Sequence, residues 1–254
     1  MGALIAILCC LVALSWRAAL IGVCHSVYRR GCDWVNSEVI VGPAPRLLFA
    51  IFKQYIGFRF EGDYTLTDQL PEQYLVISNH QSILDIVVHM NYYNGTRLRF
   101  VAKEELGHNV PLVSPMLKSG KHCLVKRTGS PTQAMKAVDK FADHVVKNNL
   151  IPVIFPEGSR SKDGNLKTFH AAGFRRLLNA APMPVAVCAV DGGWKISSLT
   201  RMAKNLKGGA YRIKLLKIYD APQTKEEQIK ILEEGKALIQ AQLDEWRKAD
   251  KNRT

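Results

Sequence analysis

The sequence predicts an α/β fold: a largely parallel sheet covered by helices, with an N-terminal membrane-associated helical pair. Short apolar runs alternate with helix-like stretches from residue 58 onward. Several of those runs look buried on both faces, as the strands of a covered parallel sheet are. Ahead of them, residues 1–57 hold two apolar segments with basic flanks.

The elements follow in chain order. Residues 1–15 read MGALIAILCCLVALS; Arg17 then interrupts, and Ala18 to Val23 resumes the apolar run. A clean spanning helix needs about 20 apolar residues. A span therefore requires Arg17 to lie near an interface or to snorkel to one. A cleaved signal peptide, which here would lack a basic start, and a helix lying in one leaflet are the alternatives. Arg29 and Arg30 suit a cytoplasmic, anionic membrane face. Gly42-Pro43-Ala44-Pro45 is a breaker cluster, and Arg46 to Tyr55 (RLLFAIFKQY) reads as the second apolar helix. Residues 1–57 are thus expected to form the membrane-associated segment and 58–254 the α/β domain.

Strands are expected at Phe58–Glu61, Tyr74–Ser78, Arg97–Ala102, His122–Lys126, Ile151–Phe155, Pro184–Val190 and Tyr211–Ile218. Helices are expected at Leu84–Tyr93, Leu112–Ser119, Pro131–Asn148, Phe169–Ala180 and Lys225–Lys248. The last carries Ile229, Leu232, Ile239, Leu243 and Trp246 at roughly helical spacing, which reads as a core stripe.

The formal charge is +13, which favours an anionic partner: nucleic acid, a phosphorylated substrate or an acidic lipid surface. No recognisable nucleic-acid-binding module is present, so nucleic acid is not expected as a partner. The six cysteines form no Cys-x-x-Cys pair and no zinc spacing, so no metal is expected. Cys123 and Cys188 lie in apolar runs and read as buried thiols.

Chemistry concentrates where apolar strands end. Asn79-His80-Gln81-Ser82-Ile83-Leu84-Asp85 follows one such strand. In α/β folds the ligand crevice lies beyond the carboxyl ends of the strands. His80 can exchange a proton near neutral pH, and Asp85 can hold one imidazole nitrogen protonated. Residues five apart do not face each other on a straight helix, so His80 belongs in the turn or at the first helical position, facing back toward Asp85. Ser78 and Gln81 have the spacing of a capping box. Lys118 to Thr128 reads KSGKHCLVKRT and places Arg127 at a strand end, where its planar fork suits a phosphate. Phe155 to Ser161 reads FPEGSRS, again after an apolar strand, and Pro182 to Gly192 reads PMPVAVCAVDG.

In this order, the stretches resemble the motifs of the 1-acyl-glycerol-3-phosphate (lysophosphatidic acid) acyltransferases, a glycerolipid acyltransferase family. The resemblance covers roughly Tyr74 to Gly192. It implies a catalytic pair, His80 and Asp85. Arg127 matches the Arg that ends the strand of the family's second motif, and Arg127, Glu157, Gly158 and Arg160 are assigned to substrate binding. It implies acyl transfer from acyl-CoA or acyl-carrier protein to lysophosphatidic acid, without a cofactor. The expected location is a membrane; the compact size of the chain points to the bacterial inner membrane, and the basic residues to a catalytic domain on its cytoplasmic side. Two departures stand out: Val187 where a second Pro is usual, and Phe169-His170-Ala171-Ala172-Gly173 where the family shows Phe-Lys-x-Gly. Another acceptor, either a different lyso-lipid or glycerol-3-phosphate, is the close alternative. A non-enzymatic basic membrane-binding module is the distant one. A Ser82 nucleophile would require a Gly-x-Ser-x-Gly elbow, which is not there.

Overall fold

The computed structural model describes residues 43–93, 95–108, 120–126, 130–197 and 207–252, with scattered positions among 5–24, 114–118 and 201–205. Helix α1 (Pro43–Ile56) leads into strand β1 (Arg59–Asp63), β2 (Leu75–Ser78), α2 (Leu84–Tyr92), β3 (Leu98–Lys103) and β4 (Cys123–Val125). Helix α3 (Pro131–Lys147), β5 (Ile151–Ile154), α4 (Ala171–Ala180), β6 (Val185–Asp191), β7 (Ala210–Tyr219) and α5 (Lys225–Lys251) complete the described order. The strands form a 7-stranded sheet in the order β1-β7-β6-β2-β5-β3-β4. All neighbours are parallel except β6 and β7, which run antiparallel.

The central strands are buried on both faces because helices cover both. On β2, Val76 points into one apolar cluster while Leu75 and Ile77 point into the other. On β6, Ala186, Cys188 and Val190 face the first cluster and Val185, Val187 and Ala189 the second. This is the strand period of two, read into two cores. Helices α1 and α2 cover the first face, and α3, α4 and α5 the second. Pro152 lies in an interior strand, where a missing N–H would normally break a ladder. It is tolerated because β5 pairs with β2 only from Val153 onward.

Helix α1 buries Pro45, Phe49, Phe52 and Ile56 along one stripe against this core. Leu47 and Tyr55 remain exposed beside Arg46 and Lys53. The described positions between 5 and 24 are helical. Among the described residues, no helix is long and apolar enough to cross a membrane. Most of the expected helix at 112–119 lies outside the described residues. On α5 the buried stripe runs through Gln228, Ile231, Leu232, Gly235, Ile239 and Leu243, so Ile231 takes the core position expected for Ile229. Cys123 and Cys188 are free and buried, as their apolar surroundings predicted.

Candidate active site

Strand β2 delivers Asn79 and His80 to the carboxyl edge of the sheet, and α2 starts only at Leu84. The expected capping box does not form. The Ser78 hydroxyl bonds to the Asn79 carbonyl (3.2 Å), and residue 83 caps the helix without a side-chain bond. Asp85, in the first helical turn, does the work instead. Its Oδ2 accepts from the backbone N–H groups of Gln81 (2.7 Å) and Ser82 (3.0 Å) and from His80 Nδ1 (2.5 Å). Its Oδ1 accepts from the Tyr211 hydroxyl. Burial alone would raise the Asp85 carboxyl, but its bonds to His80, Tyr211 and Ser82 outweigh that and hold it below its usual range.

An ionised carboxylate only accepts hydrogen bonds, so His80 carries its proton on Nδ1 and keeps a lone pair on Nε2. The His80 side chain is 18% exposed and lines a cleft. The Phe155 ring stacks on it at 4.2 Å, which fixes the imidazole plane. Ser82 is buried, and its Oγ accepts from the Leu84 N–H (3.3 Å), a turn-shaping role rather than that of a nucleophile. The N–H groups of Gln81, Ser82 and Leu84 are therefore already engaged. They are not free to serve as oxyanion donors.

The FPEGSRS stretch clamps the same histidine. Glu157 Oε1 accepts from the His80 N–H (2.7 Å), and the Ser161 N–H donates to the His80 carbonyl (2.7 Å). Glu157 Oε2 accepts from the Lys167 N–H (3.0 Å). Glu157 is only 3% exposed and is not among the cleft-lining residues. Its geometry is that of a bracket between two loops rather than of a contact to an acceptor. Burial pushes its carboxyl up, against the pull of the two N–H groups. Asn79 forms a second bracket, exchanging two hydrogen bonds with the Val190 backbone (2.8 and 2.9 Å). Gln81 forms a third, donating to Asp191 (3.1 Å).

The cleft beside His80 has a volume of about 600 Å³. Its lining includes the apolar side chains of Ile83, Ile86, Phe100, Val101, Leu106 and Val125. It also includes the basic side chains of Lys103, Arg160, Lys162 and Lys167. Gly158 lies in this lining at φ +66, a conformation that favours glycine. Arg160 is exposed there, close to Lys167, whose Nζ donates to the Arg160 carbonyl (2.8 Å) and to Ser159 Oγ (3.0 Å). Arg127 lies outside the described residues.

Five of the six residues chosen from sequence thus gather at one edge of the sheet, with Glu157 behind the cleft instead of in it. Sequence reading missed Tyr211 and the bracketing tasks of Asn79 and Gln81. Asn79 and Gln81 stand inside the quoted motif, so proximity was the available signal. Tyr211 sits 126 residues from Asp85 inside an ordinary strand pattern and carried no signal.

The acyltransferase family model matches residues 61–191, just over half of the chain. A 1-acyl-sn-glycerol-3-phosphate acyltransferase of Cocos nucifera is 30% identical over 49% of this chain and 40% of its own length. The beta form of the Homo sapiens enzyme of that name is 30% identical over 66% of this chain and 58% of its own length. The matched stretches therefore span about half the length of these relatives. The crystal structure of the 1-acyl-sn-glycerophosphate (LPA) acyltransferase PlsC from Thermotoga maritima superposes with a TM-score of 0.60. It covers 97% of this chain and 98% of that one at 18% identity, so it speaks to the fold. Since the matched residues 61–191 contain the His80–Asp85 pair and its brackets, the chain belongs to the acyltransferase family.

Proposed function

We propose that this protein transfers a fatty acyl group from acyl-CoA or acyl-carrier protein to the free hydroxyl of 1-acyl-glycerol-3-phosphate, forming phosphatidic acid. The observation that carries this reading is His80. Its Nδ1 is committed to a buried carboxylate, and its ring lines a cleft that carries both apolar and basic side chains. An acyl chain suits the first kind and a phosphate the second.

In this reading His80 Nε2 takes the acceptor's hydroxyl proton as the oxygen attacks the thioester carbonyl. Collapse of the tetrahedral intermediate breaks the C–S bond. The proton on His80 passes to the departing thiolate, giving a free thiol and an ester. General-base help of this kind is worth about 10² to 10⁴ in rate. Asp85 keeps the imidazole in the productive tautomer and steadies its charged form. Glu157 and Ser161 hold the His80 backbone, so they position the base without touching substrate. Gly158, Arg160 and Lys167 border the acceptor, and Arg127 supplies a bidentate phosphate contact. Arg127→Lys is expected to raise the acceptor KM more than it lowers kcat, because the planar fork is lost. An unchanged KM would remove Arg127 from the phosphate site.

The protein works at an anionic membrane, supported by its +13 charge and by the exposed Leu47 and Tyr55 beside Arg46 and Lys53 on α1. The test compares 1-acyl-glycerol-3-phosphate with the same lipid lacking its phosphate, in detergent micelles with a long-chain acyl-CoA. Products are identified by mass. The phosphorylated lipid should react with a kcat/KM at least about 10-fold higher, the loss of one charge-assisted contact being worth more than about 1.4 kcal/mol. Equal rates would contradict the phosphate assignment.

A further inference from the structure

We propose that Tyr211 is a positioning residue of this site: it holds the Asp85 carboxylate against His80 and sets how strongly that carboxylate attracts the charged imidazole. The inference rests on His80 acting as the base. Tyr211 lies outside residues 61–191, the stretch matched by the family model. It stands at the start of β7, which runs antiparallel to β6. That reversal brings the amino end of β7 beside the carboxyl end of β6, where the site lies. The residue is fully buried, and its hydroxyl donates to Asp85 Oδ1, the oxygen that His80 does not use.

The surroundings are shaped to admit this hydroxyl. Gly193 lies against it: a Cβ there would fall 2.1 Å from the Tyr211 oxygen. Gly192, at φ +101, brings the chain so close to β7 that a Cβ would meet the Ala210 carbonyl at 2.2 Å. A side chain at 192 would have to displace the strand that carries Tyr211, and one at 193 the Tyr211 ring itself. Burial and the adjacent Asp85 charge hold the phenol well above its usual value, so it remains a donor.

The sign of the effect follows from charge. A donor on Oδ1 draws negative charge away from the oxygen facing His80. Removing it leaves a more basic carboxylate, which stabilises the imidazolium and raises the pH at which His80 loses its proton. Among the described residues, the other titratable or charged groups around Asp85, Tyr211 and His80 are His89 on α2, Glu157 in the loop after β5, Asp191 on β6 with Arg247 of α5 beside it (3.7 Å), and the cleft-lining Lys103, Arg160, Lys162 and Lys167. All stay in place when only the Tyr211 hydroxyl is removed.

The experiment follows the His80 imidazole by NMR titration in the full chain in detergent micelles, with the signal assigned by its loss in His80→Ala. In Tyr211→Phe the midpoint should rise by roughly 0.5 to 1 pH unit. The acidic limb of kcat/KM should move with it. Placing 3-fluorotyrosine at position 211 makes a stronger donor in the same volume, and the midpoint should fall. A midpoint that stays put in both folded variants, or moves the opposite way, overturns the proposal. So does a loss of activity without a shift, because that is what mere packing would give. The titration needs no substrate, so an absence of acyl transfer would count against the proposed function and leave this test standing.

Discussion

At the scale of single residues, Glu157 illustrates how position in a motif and task in the structure come apart. Its place in FPEGSRS was legible, but the use of both its oxygens on the backbone of His80 and Lys167 was not. The first of those partners lies 77 residues away, and no local pattern encodes a side chain that bonds to a distant backbone. Glu157→Gln keeps the shape but has only one accepting atom, so one N–H must lose its partner. We expect kcat to fall about 10-fold or more, since a buried unpaired group costs roughly 1–3 kcal/mol, while the acceptor KM stays nearly unchanged. A raised KM with unchanged kcat would return Glu157 to the acceptor. Gly158 was legible from its place in the same motif. At φ +66, with only His170 near its missing Cβ at 3.6 Å, the cost of Gly158→Ala is conformational. Thermal denaturation should show a loss of about 1–2 kcal/mol, and an unchanged melting temperature would mean that the loop relaxes freely.

The elements themselves were easier to read. Every expected strand and five of the expected helices appear within three residues of their predicted bounds. Strong apolar runs bounded by Pro, Gly and charges specify such elements locally, so little tertiary context was needed. The start of α2 was misread because Ser78 and Gln81 fit a capping pattern that Asp85 pre-empts from inside the helix. Helix α5 was read as amphipathic, yet it also packs on the sheet through Gly235, which has no apolar side chain to reveal the contact. A Cβ at Gly235 would sit 3.1 Å from Ile77 and 3.3 Å from Val187, on the two strands that lead into the site. Gly235→Leu should therefore push α5 off β2 and β6 and destabilise the fold by about 1–3 kcal/mol. A urea melt that shows no loss would mean that α5 can shift without disturbing the sheet.

For the whole molecule, the sequence implied a parallel sheet but could not order its strands or show that β7 reverses, because both depend on contacts distant along the chain. The same packing encloses two histidines as neutral groups. Burial lowers His89 to about 4 and His122 to about 3. His122 Nδ1 accepts from the Phe100 N–H (2.9 Å), which its neutral form allows. In the unfolded chain both would titrate near pH 6.5. Their contribution to stability is thus full above that value and declines as pH falls toward 4, by up to roughly 1.4 kcal/mol per pH unit for each. Asp85, held low in the fold, adds a further loss at lower pH, while Glu157, pushed up, opposes it. His122→Asn keeps an acceptor without the titration, so its urea midpoint should drop less than that of wild type between pH 7 and pH 5. Equal drops would contradict the buried neutral His122. The central claim, that His80 is the base of an acyl transfer, is tested most directly by assaying wild type and His80→Ala side by side. The assay uses a long-chain acyl donor and 1-acyl-glycerol-3-phosphate, with the product weighed by mass spectrometry. Wild type should form phosphatidic acid, and the folded variant should be slower by about 10² or more. A variant that keeps pace with an active wild type would contradict the assignment.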